Sequence, residues 1–130
     1  MSEYIQCQTN IQSREALIAA LHEMGYTHLE EGSDLSLYGY RGDRRKEKAD
    51  IVIRRQHVRM GANDIGFKKQ KDGTYKAIVS AFDQSQDRKF VPRVSALSAL
   101  HNAMKKAKKK GYKVKRTVIN GKPALEVEER

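Results

Sequence analysis

The 130-residue sequence predicts an α+β fold: a mainly antiparallel sheet of about six to eight strands with two helices packed on it, in one domain spanning 1–130. Three observations predict it. Two stretches, 13–24 and 92–110, gather their apolar residues on one side of a helical wheel. Between 35 and 82, short β-branched and aromatic runs are separated by turn residues and form a meander. Asp72-Gly73 and Asn120-Gly121 are strong short-range hairpin signals.

Taken in order, Tyr4, Gln6, Gln8 and Asn10 alternate with Ile5, Cys7, Thr9 and Ile11, which suits a half-buried strand over 4–11. Ser13 is an N-cap and Gly25 a stop for a helix whose Leu17, Ala20, Leu21 and Met24 share one side. "THLEEG" then reads as a short strand and "DLSLYGYRG" as a second. The charged stretch 41–50 reads as a connection, with a turn at Gly39 to Gly42 and a tip at Asp43 to Lys48. "IVIRRQHVR" at 51–59 reads as the next strand because of its β-branched start. "MGAN" turns the chain, and "DIGFKKQ" and "TYKAIVSAF" flank Asp72-Gly73. "DQSQDRK" at 83–89 reads as a polar loop, and Pro92 suits the first turn of the second helix. That helix sets Leu97, Leu100, Met104 and Ala107 opposite Lys105, Lys106 and Lys109; Gly111 ends it, and a hairpin through Asn120-Gly121 follows. The order helix, Gly-Tyr, strand occurs twice, after Met24 and after Lys110. A glycine stop followed by an aromatic residue gives the same look without duplication.

Charge is unevenly spread. The net charge is +10, and residues 88–125 carry twelve basic residues and no acidic one, whereas residues 1–40 carry one Arg against six acids. A one-signed block favours polyanions, nucleic acid first and an acidic protein or membrane surface behind it; the alternative is a solvated face that only keeps the chain soluble. No window approaches the roughly 18 consecutive apolar residues of a membrane span, and the amino terminus has neither a basic leader nor an apolar signal core, so a cytoplasmic protein is expected. The single cysteine, Cys7, has no internal partner for a disulfide and reads as a buried strand thiol rather than a reactive one.

Catalytic patterns are missing. His22, His28, His57 and His101 have no metal-ligand spacing, and neither a Walker sequence, a Gly-rich dinucleotide turn nor a nucleophile motif occurs. No cofactor is called for. Arg41, Arg44, Arg45, Lys46 and Lys48 form one basic cluster, which Arg54, Arg55 and Arg59 extend. Beside Tyr38 and Tyr40 this cluster has the parts for single-stranded or irregular RNA, because guanidinium grips phosphate in pairs of hydrogen bonds and stacks on bases. The second cluster, from Lys105 through Lys106 and Lys109 to Arg116, is rich in lysine and suits unspecific phosphate contact.

"YGYRGDRRKEKADIVIR", "NDIGFKKQKDGTYKAIV", the helix ends "LHEMGY" and "KKGY" and the final hairpin resemble the "hypothetical chloroplast reading frame thirty-five" proteins of cyanobacteria, plastids, other bacteria and viruses. Gly39-Tyr40-Arg41-Gly42, Asp64-Ile65-Gly66-Phe67 and Gly73-Thr74-Tyr75 carry the resemblance, which covers nearly the whole chain. It implies a small α+β protein and supplies no catalytic residues. "DRRKEK" and the lysines of 105–110 are heavier in charge than that family pattern, and "RVSALSALHNAM" lacks aromatic residues expected there.

The expected function is therefore a non-enzymatic binding protein whose partner is nucleic acid, RNA ahead of DNA, held through Arg41, Arg44, Arg45, Arg54, Arg55 and the lysines of the second helix. A protein adaptor or assembly subunit of a larger complex, using its sheet edge and the acidic amino-terminal third against the basic end of a neighbour, is the alternative; an acidic protein partner and a homo-oligomer are the partners it allows. An enzyme acting on a phosphorylated small molecule, with Arg41 as grip and His57 as base, ranks third.

Overall fold

Strands β1 (Tyr4–Gln8), β2 (Leu29–Tyr38), β3 (Arg44–Ile53), β4 (Ile65–Lys69) and β5 (Tyr75–Ser80) form one antiparallel sheet in the order β1-β5-β4-β3-β2. Helices α1 (Arg14–Glu23), α2 (Ala81–Gln86) and α3 (Phe90–Lys109) and a separate two-stranded sheet, β6 (Lys113–Ile119) with β7 (Lys122–Glu128), complete the residues 2–129 that the computed structural model describes. The α+β class and the meander from β2 to β5 are as the sequence predicts. No helix among the described residues is long and apolar enough to cross a membrane.

One face of the sheet carries the main core. Leu17 and Leu21 of α1 and Phe90, Val94 and Leu97 of α3 pack on Ile51, Ile53, Ile65, Phe67, Ala77 and Val79, which are alternate residues of β3, β4 and β5. Each such fully buried aliphatic side chain contributes about 1.5–3 kcal/mol over leaving it in water. Cys7 packs half-buried at the rim of this core, and burial pushes its thiol above the ordinary range. Ser13 caps α1 by accepting from the Ala16 N–H at 3.1 Å. The repeated Gly-Tyr closes both long helices in the same way: the Tyr26 N–H donates to the Leu21 carbonyl at 2.9 Å, and the Tyr112 N–H to the Ala107 carbonyl at 3.1 Å. The likeness stops there, because β2 joins the main sheet and β6 does not.

Four local expectations are corrected. The two strands read at "THLEEG" and "DLSLYGYRG" are one strand, β2, in which pairing slips between Glu31 and Leu35 and Asp34 takes a φ of 53°. The stretch 41–50 is a connection only as far as Asp43; Arg44 to Asp50 belong to β3, since opposite Ser36 and Leu35 the backbone of Lys48 and Ala49 gains ladder partners that outweigh the charge of the side chains. β3 stops at Ile53, and Arg55–His57 form a 3-10 turn, so His57 is not on a strand. The polar run 83–89 starts inside α2, where Ser80 caps Asp83.

The bend in β2 decides what covers the second face. Asp50 accepts from the Lys69 N–H at 2.9 Å and from the Asp34 N–H at 3.3 Å, and Lys68 bridges Asp34 and Asp50. Beyond it the hairpin of β2 and β3 curls over the sheet, so Leu37 and Ala49 join Val52 and Ile78 in a second, smaller core. Gly66 of β4 permits this approach: a Cβ there would stand 2.6 Å from the Ala49 Cβ and 3.1 Å from Leu37.

The β6-β7 hairpin is tied back by charge. Both Arg116 nitrogens donate to the Glu23 carboxylate at 3.0 Å, and His101 meets the same carboxylate at 2.8 Å. These bonds, the ones from Arg116 foremost, pull Glu23 from the ordinary 4.5 to about 2.

Two outcomes are expected. Gly66→Ala destabilises the protein by about 1–3 kcal/mol in urea unfolding, and adding Ala49→Gly restores part of the loss. Glu23 is depressed in the folded state, so its contribution is complete above pH 4.5 and drains as pH falls toward 2; acid titration of stability shows a steeper loss across that window for the parent than for Glu23→Gln.

Candidate nucleic-acid interface

The residues just before β4 organise the site. Asp64 is fully buried, and its carboxylate accepts from the Tyr38 N–H at 2.8 Å, the Arg55 N–H at 2.7 Å and the Arg54 guanidinium at 2.8 Å. Its backbone is used as well: the N–H donates to the Tyr38 carbonyl at 3.0 Å, and the carbonyl accepts from the Tyr4 hydroxyl at 2.7 Å. Burial, and after it the Asp64 carboxylate, push the Tyr4 hydroxyl above the ordinary tyrosine range.

Asn63 does the same for the next part of the turn. Its Oδ1 accepts from the Tyr40 N–H at 3.0 Å, while its own N–H and Nδ2 donate to Asp83 at 2.9 and 3.1 Å. Asp83 is buried too, and it also takes the Ser80 hydroxyl at 2.8 Å and the Arg59 guanidinium. The turn Gly39-Tyr40-Arg41-Gly42 is closed by the Gly42 N–H on the Gly39 carbonyl at 2.9 Å, with Gly42 at a φ of 78° that suits glycine. Two consecutive polar side chains thus hold the entry to an exposed turn.

The structure divides the basic residues named from the sequence into held and free. Arg54 is held by Glu30, Asp64 and the Ser36 carbonyl; Arg45 lies 5.1 Å over the Tyr4 ring, bonds the Ser2 carbonyl and stands 3.7 Å from Asp43; Lys105 pairs with Glu15 at 2.7 Å. Arg59 is held by Asp83. Arg41, Arg44, Lys46, Lys48, Arg55, Lys106 and Lys109 have no carboxylate in salt-bridge contact among the described residues. Arg41 folds onto the exposed Tyr40, 5.3 Å over its ring and 2.9 Å from its hydroxyl.

Two surfaces result, and the sheet lies between them. Lys46, Glu47 and Lys48 line a cleft of about 330 Å³ with Gln6, Lys68 and Lys76. Gln6, Lys68 and Lys76 alternate along their strands with Cys7, Phe67 and Ala77, which face the helices, so the cleft opens on the opposite side from α1 and α3. Lys106 lies on the helix side, beside the end of β1. Lys68 and Lys76 escape sequence reading because each stands alone in a strand pattern; only the register of β4 against β5, with Lys68 opposite Lys76, brings them together.

A second groove, about 560 Å³, lies between the Tyr40 turn and the 3-10 turn and includes Arg55, Gln56 and Met60. Neither Arg41 nor His57 lines it; the His57 ring is stacked on His28 with centroids 4.4 Å apart. No group of three or more metal-ligating side chains occurs among the described residues.

Asp64→Ala is expected to cost about 3 kcal/mol or more in denaturant unfolding, because it leaves two backbone N–H groups unpaired and takes from Arg54 one of its two carboxylate partners. Arg41→Ala stays within about 0.5 kcal/mol of the parent. A family model described as "Protein of unknown function (DUF1257)" matches residues 20–125, and no curated protein and no solved structure matches the chain. The matched span runs from α1 to β7 and contains the turn, Asn63, Asp64 and Asp83, so the chain belongs to the DUF1257 family.

Proposed function

We propose that the protein is a non-enzymatic polyanion-binding protein, with single-stranded RNA as its preferred partner, and that the face of the sheet away from α1 and α3 makes the contact. One observation carries this: four lysines from three different strands, Lys46, Lys48, Lys68 and Lys76, line one cleft. Asp34 and Asp50 compensate Lys68, and the one carboxylate that lines the cleft, Glu47, offsets one of the other three lysines, so the cleft keeps a net positive charge that a chain of phosphates neutralises. Arg44, Lys46 and Lys48 are exposed at alternate positions of β3, about 6.6 Å apart at strand rise, a spacing comparable with that of successive phosphates on an extended strand. Within its family we group the chain with the chloroplast reading frame thirty-five proteins, on the Gly39–Gly42 turn, the Asp64 hub and the Gly73 turn.

Binding to a short RNA is expected to fall linearly on a log–log plot against salt, by about 0.7 per phosphate engaged. The triple variant Lys46→Glu, Lys48→Glu, Lys76→Glu abolishes retention in a filter assay, while Lys106→Glu with Lys109→Glu leaves most of it. No retention of RNA at low salt overturns the proposal and leaves the adaptor reading. That reading is supported by a groove between α3 and the β1–α1 connection, where the buried Ser98 hydroxyl has no hydrogen-bond partner.

A further inference from the structure

We infer that the groove between the Tyr40 turn and the 3-10 turn receives one unstacked base of the bound strand, an inference that rests on the polyanion proposal and adds a site to it. The groove is preformed. Its three walls are the hairpin turn at Tyr40, the 3-10 turn starting at Arg55 and the bend at Met60 to Ala62. Each wall hangs from the same buried polar centre: the Tyr40 N–H on Asn63, the Arg55 N–H on Asp64, and the Arg59 guanidinium on Asp83. Exposed loops ordinarily lose entropy when they close on a ligand, and this arrangement has already met that cost in folding.

The chemistry on the walls suits a base. Tyr40 is 44% exposed and Met60 99% exposed, so an aromatic ring and a thioether stand in water on two walls of the same groove. Bases stack on such surfaces whatever their identity. Gln56 supplies an amide with donors and an acceptor for a base edge. No acidic residue lines the groove, and Arg55 has no carboxylate in salt-bridge contact among the described residues, so its guanidinium is available to the phosphate next to the base. Arg41, packed over the Tyr40 ring, adds a second cation at that turn. From the turn the chain passes directly into β3, whose outward Arg44, Lys46 and Lys48 continue the path for the backbone. A phosphate chain alone needs neither the ring nor the thioether.

The test compares three ligands at low salt on the full chain: a short oligoadenylate, the same strand with abasic positions, and inorganic polyphosphate. The oligoadenylate is expected to bind about tenfold or more tighter than the abasic strand, in line with stacking of one base. Tyr40→Ala removes that advantage and leaves polyphosphate binding unchanged; Tyr40→Phe keeps it, which separates loss of the ring from loss of fold; Gln56→Ala lowers it in part. If oligoadenylate and abasic strand bind equally, or if Tyr40→Ala binds oligoadenylate as the parent does while polyphosphate is still retained, the base site is overturned and the lysine cleft stands. If no ligand of the three is retained, both fall together.

Discussion

The carboxylate of Asp64 is the interaction on which the rest of the arrangement depends. A charge removed from water costs several kcal/mol unless it is paired and hydrogen-bonded, and here the guanidinium of Arg54 supplies the pair and two backbone N–H groups the further bonds. The donors come from the end of β2 and from the chain just after β3, so one side chain in the approach to β4 sets where the long hairpin can lie. Asn63 and Asp83 extend the same logic, with Ser80 between them, until the hairpin turn, the 3-10 turn and the start of α2 share one buried network. Buried networks of this kind reward only the complete set of partners, which makes them selective for a single geometry.

That selectivity explains why the sheet has two unlike faces. Against the helices it buries a continuous apolar surface from Leu17 to Val94. On the other side the curled hairpin covers a small cluster of Leu37, Ala49, Val52 and Ile78 and leaves a cleft lined by Gln6, Lys46, Glu47, Lys48, Lys68 and Lys76. The excess positive charge of the chain is thus divided by role. Arg54 and Arg59 neutralise buried carboxylates inside the fold, and Lys46, Lys48 and Lys76 give the cleft outside it a net positive charge. A formal charge of +10 says nothing about this division.

Local signals were readable in the sequence where the physics is local. Ser13, Gly25, Gly111, Asp72-Gly73 and Asn120-Gly121 end or begin elements by the hydrogen bonds and backbone angles of a few residues, and each does so in the structure. Arg44 to Lys48 misled because charge marks loops only on average; a strand whose side chains point to water tolerates any of it. The long-range terms were out of reach. Asp64 and Asp83 look like ordinary turn aspartates until Tyr38, Arg54 and Arg59 are brought to them, and Gly66 looks like a weak point in a strand until Ala49 is laid against it. Of the site, the cations of β3 were visible as a cluster, whereas Lys76, Gln56 and Met60 joined it only through the register of β4 with β5 and the bend after β3.

The sheet order also governs how the chain can come together during synthesis. β1, made before the rest of this sheet, pairs with β5, so that Tyr4 finds its partner in Ser80 and Gln8 in Lys76. α1, made next, can bury Leu17 and Leu21 fully only once Phe67, Ala77 and Val79 exist. The segment of β1 and α1 therefore waits, with Leu17 and Leu21 uncovered, until β4 and β5 have left the ribosome, and the meander from β2 to β5 is the unit able to close first.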